Sequence, residues 1–303
     1  MQYLLLAIIS SSLIAIIFKF SETNNLNRYA VTTMNYLTAF SVSLFLSIKD
    51  GILLPSGEGN FIKEFSNVVL KNNGLFTPYS SFIWATIIGC LAGLFFFLSF
   101  IYYQISVREN NVGLAGTFGK LGILVPMSFS IVLWREFPTE IQWIGIILSI
   151  ISIIIVNVSF KKNSIKDIHI NLILLFFFGG MAEFSNKIFQ KYALSEYKSL
   201  FLFFVFFIAF IISLMVTIKR NKPVETRDII TGILVGIPNL FSSFFLIMAL
   251  NYMKTSVVFP IYSAGSIVII TLAGTLFFKE RLKNKEIIAI VMTIVALILI
   301  NIQ

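Results

Sequence analysis

Residues 113–157 read GLAGTFGKLGILVPMSFSIVLWREFPTEIQWIGIILSIISIIIVN. They spell an apolar helix holding Lys120 and Pro126, a polar break at Arg135-Glu136, and a second apolar helix closed by Asn157. The same design returns 144 residues later. At that offset Arg135-Glu136 falls on Lys279-Glu280, Ile144, Ile146, Ile150 and Ile154 fall on isoleucines, and Asn157 falls on Asn301. Isoleucine matches are common in an isoleucine-rich chain. The basic–acidic pair that closes one helix and the asparagine that closes the next carry more information. An internal duplication of a five-helix unit follows, and in membrane proteins such a duplication points to a transporter.

Composition agrees. Of 303 residues, 57% are hydrophobic and only 12% are charged, against about 25% charged in soluble domains. The chain reads as an all-α membrane protein. Spans of about 20 apolar residues fit at 3–20, 28–48, 81–103, 112–134, 140–159, 169–192, 199–218, 228–252, 255–278 and 285–302. Residues 161–164 link the halves. The expected architecture is ten transmembrane helices as two inverted five-helix repeats, 1–159 and 160–303. The longest polar connection, 49–80, contains an amphipathic piece at 61–70 suited to the membrane surface. The apolar N-terminus lacks a basic leader and a cleavage pattern, so it reads as a retained first span.

The net charge of +9 is spread among the connections between helices, which fits contact with lipid headgroups and speaks against nucleic acid. Fourteen of the 23 Lys and Arg fall on the side of the 1–2, 3–4, 5–6, 7–8 and 9–10 connections. Eight lie on the other side, and Lys120 lies within a span. By the positive-inside rule both termini would be outside. A single cysteine, Cys90, cannot form an intrachain disulfide. The single histidine, His169, has no company of metal-ligating residues, so no metal or cofactor is expected.

By its motifs the chain resembles the drug/metabolite transporter superfamily, in its ten-helix EamA-like form. The resemblance rests on Pro126 to Glu136 followed by Gly145 to Asn157, and on Ser256-Val257-Val258-Phe259-Pro260 through Phe278-Lys279-Glu280 to Asn301. Asn35-Tyr36 in span two and Gly236-Ile237-Pro238-Asn239 in span eight add to it. It covers the whole chain, through short motifs whose order and spacing persuade more than any one of them. It implies inverted repeats around a central cavity and secondary transport of a small metabolite, often export. It also implies cytoplasmic termini, against the lysine and arginine count. The resemblance would also lead one to expect a basic C-terminal tail, where this sequence reads Asn301-Ile302-Gln303.

Candidate substrate-binding residues are the polar groups at membrane depth. An uncompensated lysine there costs about 2.5–3.5 kcal/mol, so Lys120 must reach a cavity or a partner. Glu183 and Lys187 are four residues apart on one helix face and suit an ion pair. Asn35, Tyr36, Asn239 and Tyr262 could serve a ligand or bond to a neighbouring helix. The phenylalanine runs at 95–97, 176–178 and 201–207 suit lipid contact or packing. No HExxH, GxSxG or P-loop occurs, so no enzyme is expected.

The sequence therefore predicts a multi-pass protein of a bacterial cytoplasmic (inner) membrane. It would be a monomer or homodimer, and an exporter or exchanger of a small polar metabolite such as an amino acid or organic anion. A proton or ion is the candidate coupling partner. The competing class is a membrane-embedded protein without transport activity, either an intramembrane enzyme or a scaffold subunit.

Overall fold

The computed structural model describes residues 1–54, 57–109, 118–157, 170–278 and 284–301. His169, Gly113, Gly116, the 161–164 linker and the Lys279-Glu280 pair lie outside the described residues.

All regular structure among the described residues is helical. The long helices are α1 (Gln2–Thr23), α2 (Arg28–Lys49), α3 (Pro78–Glu109), α4 (Leu124–Trp134), α5 (Glu140–Asn157), α6 (Ile170–Tyr192), α7 (Lys198–Arg220), α8 (Thr226–Leu250), α9 (Thr255–Phe278) and α10 (Asn284–Asn301). Seven of them, α1–α3 and α6–α9, are long and apolar enough to cross a membrane, and shorter apolar helices cover 118–134 and 140–152. Their outward faces carry large apolar side chains, including Phe45, Leu133, Met215 and Ile298, each more than half exposed. In water such a surface would aggregate; against lipid tails it is solvated. This is a multi-pass membrane protein.

Helix ends follow local chemistry. Asn27 caps α2 by accepting from the Tyr29 and Ala30 amides. Glu225 and Asp228 form a reciprocal capping box on α8. Asp228 also accepts from the Asn27 amide at 2.9 Å, tying the α1–α2 turn to the start of α8. The helix expected over 112–134 is broken at Gly122-Ile123, where a helical turn from Phe118 gives way to α4. The cause is Pro126, which has no N–H to offer the Gly122 carbonyl. That carbonyl accepts instead from the Val125 amide at 3.0 Å, tightening the chain by one residue. The break presses against α6: a Cβ on Gly180 would lie 2.5 Å from the Gly122 oxygen.

The amphipathic piece at 61–70 is a short helix, Phe61–Phe65, running into a wider turn over Ser66–Leu70. Ile62 and Leu70 are exposed, as a surface piece requires, whereas Phe61 stacks on Phe76 and Phe65 meets Trp84 at a tilt. The phenylalanine runs divide similarly. Phe96, Phe97, Phe201 and Phe206 are buried between helices, and Phe177 faces outward.

The packing has a pattern. α2 lies against α7 and α8, α3 against α6 and α7, α1 against α8 and α9, α4 against α6, and α5 against α10. The closest approaches are made by glycines. A Cβ on Gly236 (α8) would lie 2.5 Å from the Asn35 oxygen and 2.6 Å from the Thr38 Cβ (α2). One on Gly93 (α3) would lie 2.6 Å from the Val205 oxygen and 2.8 Å from the Ile208 Cβ (α7). Gly232 and Gly89, a turn earlier, repeat the arrangement against Val31 and Met34 and against Phe201 and Phe204.

The direction of α9 is fixed by its contacts. Glu136, just past α4, bonds Thr255 at the start of α9, so these two helices run antiparallel. Gly265 packs on Ile8, and Phe278 lies under Lys19, so α1 and α9 run in parallel. At about 1.5 Å per residue, the two ends of α9 are about 35 Å apart.

Candidate functional site

The break before α4 fixes the position of Lys120, which lies just ahead of it. The Lys120 ammonium donates to the Ser11 hydroxyl in α1 at 2.8 Å. It also lies over the Tyr262 ring of α9, 4.6 Å from the centroid. The Tyr262 hydroxyl shares a hydrogen bond of 2.8 Å with Ser242 of α8. Glu183 of α6 is close enough for its carboxylate charge to act on both the Lys120 ammonium and the neutral Tyr262 hydroxyl. Its oxygen accepts from the Asn186 amide at 3.0 Å. One cation, one carboxylate and three hydroxyls thus converge from α1, α6, α8, α9 and the turn before α4.

Several partners make the charge tolerable at this depth. An ammonium at membrane depth is stabilised by a carboxylate, a hydroxyl and an aromatic face, each of which replaces part of its lost hydration. Lys120 and Glu183 are only partly buried, although both sit within helices. The neighbouring Asn186 is fully buried, and its Oδ1 has no hydrogen-bond partner among the described residues. Buried acceptors are normally satisfied, so an unused one beside a carboxylate is a feature a ligand could exploit.

Of the predicted site residues, the fold brings Lys120, Glu183 and Tyr262 together. Asn239 lies one turn from Ser242, but its amide donates to Asn35 Oδ1 at 3.0 Å across the α2–α8 contact. Tyr36 is fully buried and donates to the Phe96 carbonyl at 2.9 Å, away from the cluster. The expected Glu183–Lys187 pair does not form. Lys187 reaches instead to Glu136, at 3.0 Å, and its ammonium lies 5.4 Å from the Trp134 ring centroid. The i, i+4 spacing placed both side chains on one face, but a tertiary carboxylate at the end of α4 takes the lysine.

That second node has its own support. Glu136 accepts from the Thr255 amide at the start of α9, at 3.3 Å. The Trp134 indole donates to the Tyr192 hydroxyl at 2.8 Å. Burial raises the Glu136 carboxyl; the Lys187 charge and the Thr255 bonds outweigh it and hold the group below its ordinary value. A carboxyl depressed in the folded state contributes stability that is complete above its unfolded value, about 4.3. That stability is lost as pH falls through the folded value. Thermal stability in detergent should therefore fall below about pH 4, and Glu136→Gln should flatten the fall. An acid limb identical in the variant would show that other carboxyls govern it.

Sequence reasoning missed Ser11, Ser242 and the tertiary role of Glu136. Ser10-Ser11-Ser12 in an otherwise apolar first span was a readable signal. Ser242 gave none, because Ser242-Ser243 could equally bond to its own helix.

Comparisons with known proteins fit this architecture. An uncharacterized protein of Haemophilus influenzae (strain ATCC 51907 / DSM 11121 / KW20 / Rd) is 22% identical over 303 residues, covering 98% of this chain and 96% of that protein. A protein solved by crystallography superposes with a TM-score of 0.66 at 12% sequence identity, over 99% of this chain and 98% of the other. At that identity the likeness concerns the fold. The profile of the EamA-like transporter family, which belongs to the drug/metabolite transporter superfamily, matches residues 170–302, the half that supplies Glu183, Ser242 and Tyr262.

Proposed function

We propose that this protein is a secondary active transporter that moves a small polar metabolite across a bacterial cytoplasmic membrane, as an exporter or exchanger, by alternating access. The observation that carries the proposal is the Lys120 cluster: a cation facing a carboxylate where helices from both halves of the chain meet. Lys120 would hold a carboxylate or phosphate of the substrate. Glu183 and the unused Asn186 oxygen would hold a donor group. Amino acids and organic anions present such groups.

The architecture in this proposal is ten spans in two inverted repeats, 1–159 and 160–303. Exchange of α1–α5 with α6–α10 turns α2 on α8 into α7 on α3, α1 on α8 into α6 on α3, and α1 on α9 into α6 on α4. Each of these pairs packs together. The glycine contacts correspond almost atom for atom: Gly89 and Gly93 meet α7 as Gly232 and Gly236 meet α2. Gly89, Gly93 and Gly122 precede Gly232, Gly236 and Gly265 by 143 residues. The offset of 144 seen at Arg135-Glu136 then requires one extra residue in the second half, between Gly265 and Lys279. In this register Lys120 corresponds to Ser263 instead of Ala264. Either way the lysine is not duplicated, as expected of a single site shared by two halves.

Glu183 is the candidate proton carrier. Its replacement by glutamine keeps the shape and the bond to Asn186 but removes the proton. Flux in proteoliposomes should vary with pH in the unaltered protein and lose most of that variation in Glu183→Gln. An unchanged pH profile in a normally folded variant would leave Glu183 with a structural role.

A further inference from the structure

The Lys187 node has a counterpart at the other end of the molecule. Lys19, in the last two turns of α1, lies over the Phe278 ring, 4.7 Å from its centroid. Lys187 occupies the same place near the end of α6 and lies over Trp134. Trp134 and Phe278 are 144 residues apart, and each directly precedes a basic–acidic pair.

Both contacts join one half of the chain to the other. Trp134 and Glu136 come from the first half, Lys187 and Thr255 from the second; Lys19 comes from the first, Phe278 from the second. The first node touches Thr255, where α9 begins, and the second touches Phe278, where it ends. About 35 Å separates them. Tyr262, and with it Lys120 and Ser11, lies between.

We infer that the two lysines are paired gates, Lys187 on Trp134 and Glu136 closing one mouth of the central site, and Lys19 on Phe278 closing the opposite mouth. The inference rests on the transport reading above. A site reached from two sides in turn needs one closure on each side, and each closure must bias its state without locking it. A lysine over an aromatic ring suits that demand, because the ammonium can exchange the ring for water at a mouth. The Lys187 gate is also backed by a chain of touching rings, Trp134, Tyr192, Trp84 and Phe76, that leads out to the 49–77 connection. Breaking it would release that connection together with the start of α9.

The test uses the full protein with Cys90→Ala and a reporter thiol, Ser242→Cys, beside Tyr262. A membrane-impermeant maleimide is applied to sealed vesicles of each orientation. Lys187→Met should raise the labelling rate from one face about tenfold, the population change set by ~1.4 kcal/mol, and leave the other face unchanged. Lys19→Met should do the same from the opposite face. Glu136→Gln should reproduce Lys187→Met, which guards against a single misfolded variant. Rates unchanged from both faces, or raised from the same face by both lysine variants, would overturn the gates. Labelling needs no substrate. Opposite-sided labelling, together with no flux by the protein with its own Ser242, would therefore refute transport while keeping the gates, and unchanged labelling where that protein transports would refute the gates alone.

Discussion

Lys120→Ala should abolish transport and leave folded protein in the membrane. The lysine is the cationic centre of the cluster, held by Ser11 and the Tyr262 ring and facing Glu183. Its loss removes the cation of the cluster, the group there that can hold an anionic substrate group. A buried charge-assisted bond to substrate is worth about 2–5 kcal/mol, which corresponds to a loss of between about 30-fold and several thousand-fold. Folding should survive, because removing a costly intramembrane cation takes away a desolvation penalty along with its contacts. Lys120→Arg should restore only part of the flux, since a planar guanidinium cannot take the place of a compact ammonium over Tyr262 without displacing Ser11. Flux and monodisperse yield, measured on the same preparations, check this. Normal flux in the Ala variant would remove the case for an anionic substrate.

The second large effect is on stability. Gly93→Val and Gly236→Val should each destroy the folded state. The atoms that an added side chain would meet include backbone oxygens of α7 and α2, at 2.6 Å and 2.5 Å from the first carbon. A backbone oxygen in a helix cannot rotate away, so the helices must separate. Overpacking of this kind costs about 3 kcal/mol or more, a large share of a typical domain's stability of about 5–15 kcal/mol. The milder Gly93→Ala and Gly236→Ala should lower the unfolding temperature by similar amounts, since the two contacts correspond. Gly119→Ala is the control: the nearest atom is Leu175 Cδ1 at 3.8 Å, an ordinary contact, and the unfolding temperature should stay within a degree or two, roughly the effect of a neutral surface change. Dissimilar losses at Gly93 and Gly236 would argue against equivalent interfaces.

Much of the scaffold could be read from the sequence because lipid simplifies the code. Long apolar runs and the Arg135-Glu136 break identify helices and their ends without reference to the fold, whereas the interruption that Pro126 imposes at Gly122-Ile123 falls within a run that the sequence reads as continuous helix. Lys120 could be singled out because charge at membrane depth is expensive wherever its partners are. The partners themselves could not. Ser11 is 109 residues away in sequence, and a serine in an apolar helix bonds its own backbone as readily as a neighbour, as Ser12 does with the Ile8 carbonyl at 2.7 Å. Lys187 shows the limit of periodicity. Spacing gives the helix face, but the choice between Glu183 and Glu136 depends on how α4 docks on α6. Asn35 and Asn239 were recognisable as buried polar groups, yet only the α2–α8 glycine contact reveals that the Asn239 amide donates to Asn35 Oδ1. Gly89 and Gly93 passed unnoticed because a glycine's close approach becomes visible only with its partner helix in place.

Counterflow tests the account at its centre. Purified protein is reconstituted into sealed liposomes preloaded with unlabelled amino acids, nucleosides or organic anions, and the labelled form of each compound is supplied outside. For at least one compound with an anionic group, label should accumulate transiently above equilibrium. Protein that retains its thermal unfolding transition in the liposomes but accumulates none of them would contradict transport through the Lys120 site.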